Sequence, residues 1–288
     1  MHSYPRLSLL SRFLPTMHFV FVLALLPLAS AWGSLGHRTV AYLASLYFTP
    51  SSHHFINTLL NGQDISEAAL FADKVRRLPQ FAYSAGWHYI DAQDDPPHQC
   101  GINMTRDCLD GCVVSAIANH TARVADPSLA QFSRGQSLRF MIHFFGDVHQ
   151  PLHTEAEDRG GNDISVVFDG KHTNLHSVWD TLIPNKHAGV GSEDELEAAM
   201  LWAQTLYRAD PLDECMHDAA RCALLWAGDA NKYVCKYVLK DDIAGLTGDL
   251  GGQYYEGARP IVDEMVGKAG RRLAAWINAV SENVLQTQ

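Results

Sequence analysis

The stretch that decides the fold reads Phe140-Met141-Ile142-His143-Phe144-Phe145-Gly146-Asp147-Val148-His149-Gln150-Pro151-Leu152-His153. It places three histidines and one aspartate among mostly apolar residues. Because His143 and Asp147 are four residues apart, a helix would turn both toward the same side, one turn from each other. Pro151 should end or bend that helix, so that His153 returns toward the same pocket from an extended segment. A single pair of this kind is typical of a hydrogen-bonded core and does not by itself indicate a metal.

A second pair with the same spacing changes this interpretation. It lies in Asn174-Leu175-His176-Ser177-Val178-Trp179-Asp180, again beside large apolar residues, where an unpaired carboxylate is costly to bury. Imidazole and carboxylate groups without a thiolate suit zinc or a neighbouring first-row metal, in catalytic sites that keep one coordination position for water. The two pairs therefore predict a metal centre.

The composition is that of an ordinary globular protein. The chain has 288 residues, 47% of them hydrophobic, which suffices for one large core or at most two small domains. Its net charge is −10 with histidine neutral, and an acidic protein binds nucleic acid poorly unless a local positive site opposes the net charge. Any interaction with nucleic acid must therefore come from the metal centre and its surroundings.

The first 31 residues have the pattern of a secretory signal peptide. They contain two arginines, no acidic residue, an apolar run at 19–28 and the sequence Ala-Ser-Ala at 29–31. The run is too short to cross a bilayer, and nothing later in the sequence resembles a membrane helix. We therefore predict a secreted, extracellular protein that begins at Trp32 after processing, with either Met1 or Met17 as the initiator.

Six cysteines follow the predicted signal peptide. An even number in an oxidising compartment favours disulfides over metal ligands, although several pairings are open. The spacing favours small loops closed by Cys108 with Cys112 and by Cys215 with Cys222, which leaves Cys100 with Cys235. Asn103-Met104-Thr105 and Asn119-His120-Thr121 are N-glycosylation sequons, so we expect Asn103 and Asn119 at the surface.

Apolar residues recur at helical spacing along most of the remaining chain. The helices predicted from this spacing and from Pro, Gly and capping residues span 36–48, 51–60, 64–77, 112–124, 128–150, 193–208, 219–239 and 253–281. A short strand is predicted at 162–168, and Asp169-Gly170 after it is a hairpin turn signal. A loop rich in Asp, Gly and Cys runs from Pro96-Pro97 to about residue 111. No linker or repeat divides these elements, so 32–288 is predicted to be one mainly α, multi-helix domain with a short β-hairpin.

Three further segments carry polar groups of the kind that bind metals or phosphates. They are Trp32-Gly33-Ser34-Leu35-Gly36-His37, Phe71-Ala72-Asp73-Lys74-Val75-Arg76 and Trp87-His88-Tyr89-Ile90-Asp91. Together with the two His-x3-Asp pairs, and in this order, they resemble the signature of the S1/P1 nuclease family, secreted zinc-dependent phosphodiesterases of fungi and plants. The resemblance covers essentially the whole of 32–288 and implies the helical fold which that family shares with zinc phospholipase C.

The resemblance also implies three bound zinc ions. The ligands would be Asp73, His88, His143 and Asp147 for the first ion, Asp147, His37 and the α-amino nitrogen and carbonyl oxygen of Trp32 for the second, and His153, His176 and Asp180 for the third. The other histidines, including His53, His54, His98, His149, His172 and His217, are interpreted as surface or structural residues. Three divalent ions outweigh the three aspartates, so the cleft around them is expected to be locally positive.

Further roles follow from the same resemblance. Clustered zinc ions acidify a bridging water and stabilise an in-line displacement at phosphorus, with Asp73 and Asp147 as catalytic ligands. Arg76 and Asn162 match phosphate-binding positions and would stabilise the transition state. Tyr89 and Asp91 match the nucleobase pocket, where a ring stacks on a base and a carboxylate accepts from its edge. The implied activity is hydrolysis of single-stranded DNA and RNA to 5′-phosphomononucleotides by a monomer that also acts on 3′-nucleotides.

Two other functions are compatible with such a ligand set. A zinc phospholipase C would share the fold and the metals, and release of phosphocholine would identify it. An extracellular zinc-binding protein without catalysis would need closed coordination and would have no use for Arg76 or Asn162 beside the metals. The pair Tyr89 and Asp91 favours the nuclease over the phospholipase.

Overall fold

The computed structural model describes Met1 and residues 32–190, 194–212, 215–216 and 218–286, with side chains as far as Glu282. Apart from Met1, the predicted signal peptide lies outside these residues. The α-helical segments described are α1 Ser34–Ser45, α2 Pro50–Leu60, α3 Ile65–Ala69, α4 Phe71–Val75, α5 Met104–Asp107, α6 Val113–Ala125, α7 Gln131–Asp147, α8 Asp158–Gly161, α9 Leu175–Ser177, α10 Ile183–Ala188, α11 Glu195–Leu206, α12 Ala219–Tyr233 and α13 Gln253–Gln286. Shorter 3-10 turns span Pro79–His88, Pro151–Thr154 and Ile243–Gly245, and π-helical turns span Val178–Leu182 and Val234–Val238.

The first part of the stretch that decides the fold, from Phe140 to Asp147, forms the buried C-terminal end of α7. Every residue from Phe140 to Asp147 is buried, and the helix packs against α2, α3, α4, α6 and α13. A helix that is covered on all sides needs no polar face, which explains why its apolar residues show little periodicity. Consequently the polar groups of His143 and Asp147 have no access to bulk water and must find partners inside the protein.

The mainly α prediction and the short hairpin are confirmed. Strands β1 Ser165–Phe168 and β2 Lys171–Asn174 pair antiparallel, with Val166 opposite Thr173. The turn between them places Asp169 and Gly170 at positive φ of 48° and 74°, as a two-residue hairpin requires. The strand begins later than predicted because residues 158–162 form a separate turn.

Several predicted helices have different boundaries. The predicted helix 64–77 is wrong as a single element, because Leu70, with φ −90° and ψ 0°, separates α3 from α4. The predicted helix 128–150 is shorter, because Ser128 donates to the Asp126 carboxylate in a turn before α7, and 3-10-type bonds follow Asp147. His153 lies in a 3-10 turn capped by the Gln150 side chain, so the extended segment predicted there is wrong.

Elsewhere the helices follow the prediction within a few residues. α1, α2, α6 and α13 correspond to the predicted helices 36–48, 51–60, 112–124 and 253–281. The predicted helix 219–239 changes to a π-helical turn after Tyr233, and the predicted start of another at residue 193 lies outside the described residues. Four helices begin with a side chain that accepts a hydrogen bond from a backbone N–H group of the first turn; the residues are Thr49, Asp64, Asp194 and Asp218. Such capping residues mark the start of a helix in the sequence.

Three disulfides hold the loops. They join Cys100 to Cys235, Cys108 to Cys112 and Cys215 to Cys222, the pairing that the spacing favours. The first ties the long loop after Pro97 to the π-helical turn Val234–Val238 that follows α12. None of the helices in the described part of the chain is long and apolar enough to span a bilayer.

Candidate metal centre

The predicted metal ligands come from seven elements that meet at one end of α7. His143 and Asp147 lie on α7 itself, and the others are His37 on α1, Asp73 on α4, His88 at the end of the turn Pro79–His88, His153 on the turn Pro151–Thr154, His176 on α9 and Asp180 on the π-helical turn after it. All are buried except Asp73, which is half-buried. The structure therefore brings together every predicted histidine and aspartate ligand.

The first predicted set converges on the inner side of α7. The Nε2 atom of His143 lies 3.1 Å from Nδ1 of His88 and 3.2 Å from Oδ2 of Asp147, and the last two atoms are 3.0 Å apart. Asp73 Oδ1 lies 3.8 Å from both ring nitrogens. Atoms bonded to a tetrahedral zinc at about 2.0–2.1 Å lie about 3.3 Å from one another, so these separations fit one shared ion.

The second predicted set surrounds the other oxygen of Asp147. Nε2 of His37 lies 3.2 Å from Asp147 Oδ1, and the His37 ring stacks on that of His143 with centroids 3.9 Å apart. Trp32 is buried beside the same residues, since a Cβ placed on Gly36 or on Gly146 would lie 2.8 or 3.7 Å from its side chain. Its neighbour Gly33 donates its N–H to the Asp180 carbonyl at 2.6 Å, which fixes the start of 32–288 against the third set.

The third predicted set lies where the turn Pro151–Thr154 meets α9. Asp180 Oδ2 is 3.0 Å from Nε2 of His176, and Asp180 Oδ1 is 3.6 Å from Nε2 of His153. The Gln150 amide donates to Asp180 Oδ1 at 2.5 Å and fixes the carboxylate. Because His176 and Asp180 are four residues apart on consecutive helical turns, they repeat the arrangement of His143 and Asp147.

Backbone carbonyls orient three of the imidazoles. The Nδ1–H groups of His143, His153 and His176 donate to the carbonyls of Ala69, His88 and Gly160 at 2.6, 2.8 and 2.6 Å. With the proton on Nδ1, a neutral ring turns the lone pair of Nε2 toward the carboxylate. Metal-binding histidines are held in this way in proteins generally.

Several of the predicted donor atoms lack hydrogen-bond partners, as expected for atoms that bind a metal. Among the described residues, four atoms that face the donor sets are buried without a hydrogen-bond partner: Nε2 of His37, Oδ1 of Asp147, Nε2 of His153 and Oδ2 of Asp180. Buried polar atoms are rarely left so. The nitrogen and oxygen donor set, together with three groups of ligand atoms that each lie within 4.8 Å, fits zinc.

The carboxylates are ionised at this centre. Burial alone would raise the pKa of Asp147, but the charge of His143 and the hydrogen bonds from His143, His37 and His88 together outweigh burial and hold the pKa well below its usual range. For Asp180, burial is outweighed in the same way by the charges of His176 and His153 and their hydrogen bonds, which lower the pKa to about 2. Both groups therefore carry the negative charge that a divalent cation needs.

A cleft opens beside the first and third sets, and His88, His153 and His176 line it. It has two adjoining parts of about 330 and 270 Å³, and both are lined by Tyr89, Arg159, Asn162 and His176. Arg76 lines the part that contains His88 and His153, with its Nε 3.5 Å from Asp73 Oδ1. Asp91 lines the other part. The four predicted substrate residues thus share one cleft with the metal ligands.

The walls of the cleft differ in polarity. The Tyr89 ring is 40% exposed, so its face is accessible to a ligand. Burial and the Asp91 carboxylate raise the pKa of the Tyr89 phenol, while the charges of Arg76 and Arg159 counteract the rise. Burial raises the pKa of Asp91, and the negative charge of Asp107 raises it further. Tyr89 is therefore under the influence of two cations and one acid.

Some residues near the cleft had no role in the sequence interpretation. Arg77, Gln93, Glu155 and Arg159 line it, but single residues of these types give no sequence signal. A fourth group, formed by Asp94, Cys100 and Glu155, has ligand-type atoms close together, but the Cys100 sulfur is in a disulfide.

The remaining named histidines fall outside the centre. His53, His54, His98 and His172 are exposed, and His217 lies outside the described residues. His149 is buried, donates Nδ1–H to the Phe145 carbonyl at 2.6 Å and accepts from Arg272 with Nε2 at 2.8 Å. Its ring nitrogens are thus both occupied away from the metal ligands, which assigns it a structural role.

The fold and the site define a mainly helical protein with buried histidine and aspartate sets suited to a cluster of metal ions. The profile of the S1/P1 Nuclease family matches residues 32–282. Nuclease P1 of Penicillium citrinum is 40% identical over 270 residues, covering 86% of this chain and 97% of its own. Nuclease S1 of Aspergillus oryzae is 38% identical over 278 residues (90% and 95%), and Endonuclease 3 of Arabidopsis thaliana is 29% identical over 269 residues (88% and 90%). The chain belongs to the S1/P1 nuclease family, so the resemblance seen in the sequence is confirmed.

Proposed function

We propose that the chain is a secreted nuclease with three zinc ions that hydrolyses single-stranded DNA and RNA to 5′-phosphomononucleotides and also acts on 3′-mononucleotides. The observation that carries the proposal is that three donor sets lie close together and that ligands of two of them, His88, His153 and His176, line a cleft whose walls also hold Arg76, Asn162 and Tyr89. A protein that only stored zinc would gain nothing from these walls.

The ligand sets suggest how the ions would be held. Asp147 presents Oδ2 to His88 and His143 and Oδ1 to His37, so one carboxylate would serve two ions. The main-chain nitrogen and oxygen of Trp32 would complete the second set if Trp32 is the free N-terminus. When bound, such clustered ions would acidify a water molecule and stabilise charge on the attacking and leaving oxygens.

The chain's own residues would bind and orient the phosphate. Arg76 is 15% exposed and is positioned by Asp73, so its guanidinium can reach the cleft without leaving the donor set. Its planar donors suit two oxygens of a phosphoryl group. The side-chain N–H of Asn162 donates to the Arg159 carbonyl at 2.8 Å, which fixes the side chain. The Oδ1 atom of Asn162 is on the other side of the amide group from this hydrogen bond. Tyr89 and Asp91 would bind the base by stacking and by accepting from its edge.

Secretion and processing form part of the same proposal. Residues 1–31 would be a signal peptide removed after Ala31, and 32–288 the active domain. Three disulfides suit an oxidising compartment. Both sequon asparagines, Asn103 and Asn119, are exposed, which is compatible with glycosylation.

Substrate profiling would test the proposal. The protein produced from Trp32 onward is assayed on single-stranded DNA, RNA, a 3′-mononucleotide and phosphatidylcholine, with and without a chelator. We expect zinc-dependent release of 5′-phosphates from the first two substrates. Release of phosphocholine in preference would favour a phospholipase, 3′-phosphate products would contradict the proposed bond cleavage, and tight zinc binding without turnover would favour a binding protein.

Arg76→Ala gives a sharper test of the site. We expect turnover to fall by about a hundredfold or more, the scale for losing one well-placed transition-state donor, with zinc content unchanged. Lys74→Ala is the matched control, because Lys74 lies on α4 two residues before Arg76, is 58% exposed and pairs with Glu67 on α3. A loss of zinc in Arg76→Ala, or equal losses of turnover in both variants, would mean that Arg76 is structural.

A further inference from the structure

The turn α8 is left-handed. Its four residues Asp158, Arg159, Gly160 and Gly161 all have positive φ, at 44°, 57°, 62° and 77°. The two glycines are explained by packing and by the metal centre, because a Cβ on Gly160 would lie 2.6 Å from the Leu152 carbonyl, and the Gly160 carbonyl accepts from His176. Non-glycine residues adopt this conformation at a steric cost, and such strain concentrates at functional sites.

The turn holds Arg159 on the rim of the cleft. Its side chain is 72% exposed and lines both parts of the cleft, whereas Arg76 is 15% exposed and lines only one. Nη1 of Arg159 lies 3.1 Å from Asp163 Oδ1, and Asp163 is 52% exposed. An ion pair this exposed contributes little, so a phosphate oxygen can replace the Asp163 carboxylate at low cost.

The two arginines occupy different positions along the cleft. Arg76 lies beside the first donor set, next to Asp73, whereas Arg159 lines the cleft together with His176 and Tyr89 and is largely exposed to solvent. A phosphate on the floor of the cleft is served by Arg76. A nucleic-acid strand carries a further phosphate at each nucleotide, and an exposed guanidinium on the rim can bind one of them.

We propose that Arg159 binds a phosphate of the substrate strand other than the one being hydrolysed, and so favours polynucleotides over mononucleotides. This inference rests on the proposed nuclease function. It makes Arg159 a specificity-determining residue, because a 3′-mononucleotide has no second phosphate to contact.

Arg159→Asn tests the proposal with little disturbance of the turn, since asparagine tolerates the left-handed region. The measured quantity is kcat/KM for a single-stranded DNA trinucleotide divided by kcat/KM for a 3′-mononucleotide. We expect this ratio to fall by about tenfold, the scale of one charge-assisted hydrogen bond, chiefly through KM for the trinucleotide. Arg159→Lys should keep most of it. The slope of log kcat/KM against log salt for a longer strand should become shallower by about 0.7.

Asp163→Asn is the matched control. If Arg159 acts only through its ion pair, this variant should reproduce the loss, whereas binding of a strand phosphate predicts an equal or higher ratio. Equal losses on both substrates in Arg159→Asn, together with loss of zinc, would mean that the residue only shapes the turn behind His176. An unchanged ratio in Arg159→Asn, with wild-type protein cleaving both substrates, would overturn this inference alone. Failure of the wild-type protein to cleave either substrate would overturn the proposed function as well.

Discussion

Gly146 on α7 lies close to His37 on α1 at the metal centre. A Cβ placed on it would lie 2.7 Å from Nδ1 and 2.9 Å from Cε1 of His37. His37 is buried and stacked on His143, so its ring has little room to move. We therefore expect Gly146→Ala to displace His37 from Asp147 and to weaken the second metal site selectively.

The size of the effect follows from these distances. The ring would have to move by roughly 0.8 Å to restore an ordinary contact of about 3.5 Å, while metal–ligand distances tolerate only about 0.2 Å. Overpacking of a core costs about 1–3 kcal/mol. If this strain appears in the metal-bound state, affinity for the second ion falls by about fivefold to a hundredfold or more. Alanine in place of glycine favours the helix by about 1 kcal/mol, so the fold should remain stable.

Zinc per chain after dialysis against graded chelator, together with turnover on single-stranded DNA, measures the outcome. Gly228→Ala is the control, because Gly228 lies inside α12 and a Cβ there meets nothing within 4 Å. It should stabilise the protein without changing zinc or turnover. If Gly146→Ala holds three zinc ions with wild-type affinity, the close approach of Gly146 to His37 does not control the second site.

Three further outcomes are expected. Asp147→Asn should lower turnover by more than about a hundredfold, which is the upper end for residues that merely support a ligand. The loss should also exceed that in Asp73→Asn or Asp180→Asn, because Asp147 faces two donor sets. A variant with full zinc and near wild-type turnover would contradict this. Two extra residues ahead of Trp32 should reduce zinc below three per chain and slow cleavage, since an α-amino nitrogen loses its proton far more easily than a peptide nitrogen. Equal zinc content and equal cleavage rate in the extended protein and in the protein that begins at Trp32 would exclude the amine as a ligand. Burial lowers the pKa of His120 from 6.5 to about 4. As the pH falls from 6.5 to about 4, this residue therefore gains a proton in the unfolded chain but not in the folded chain. The free energy of unfolding should fall by up to about 3 kcal/mol over this range. His120→Phe should lack this loss, and a pH-independent difference in unfolding free energy between the two proteins would refute it.

The sequence carried the information that depends on spacing within one element. His143 with Asp147 and His176 with Asp180 are four residues apart, so each pair necessarily shares one face of a helical turn. The Asp169-Gly170 turn likewise depends on the backbone preferences of two adjacent residues. Such local constraints predicted the metal pairs, the hairpin and most helices, because they hold whatever surrounds the segment.

Only the tertiary structure decided which atoms of different elements face one another. The break at Leu70 leaves the Ala69 carbonyl to accept from His143, although the periodicity of 64–77 predicts an unbroken helix. His149 lies in the same stretch as two donor residues, yet its Nε2 atom meets Arg272, which is far along the chain. Arg159 gives no signal as an exposed arginine in sequence, and its position beside Tyr89 and Asn162 depends on a left-handed turn. The physical reason is that spacing along one segment determines the direction of its side chains, whereas the distance between segments is set by packing of the whole core.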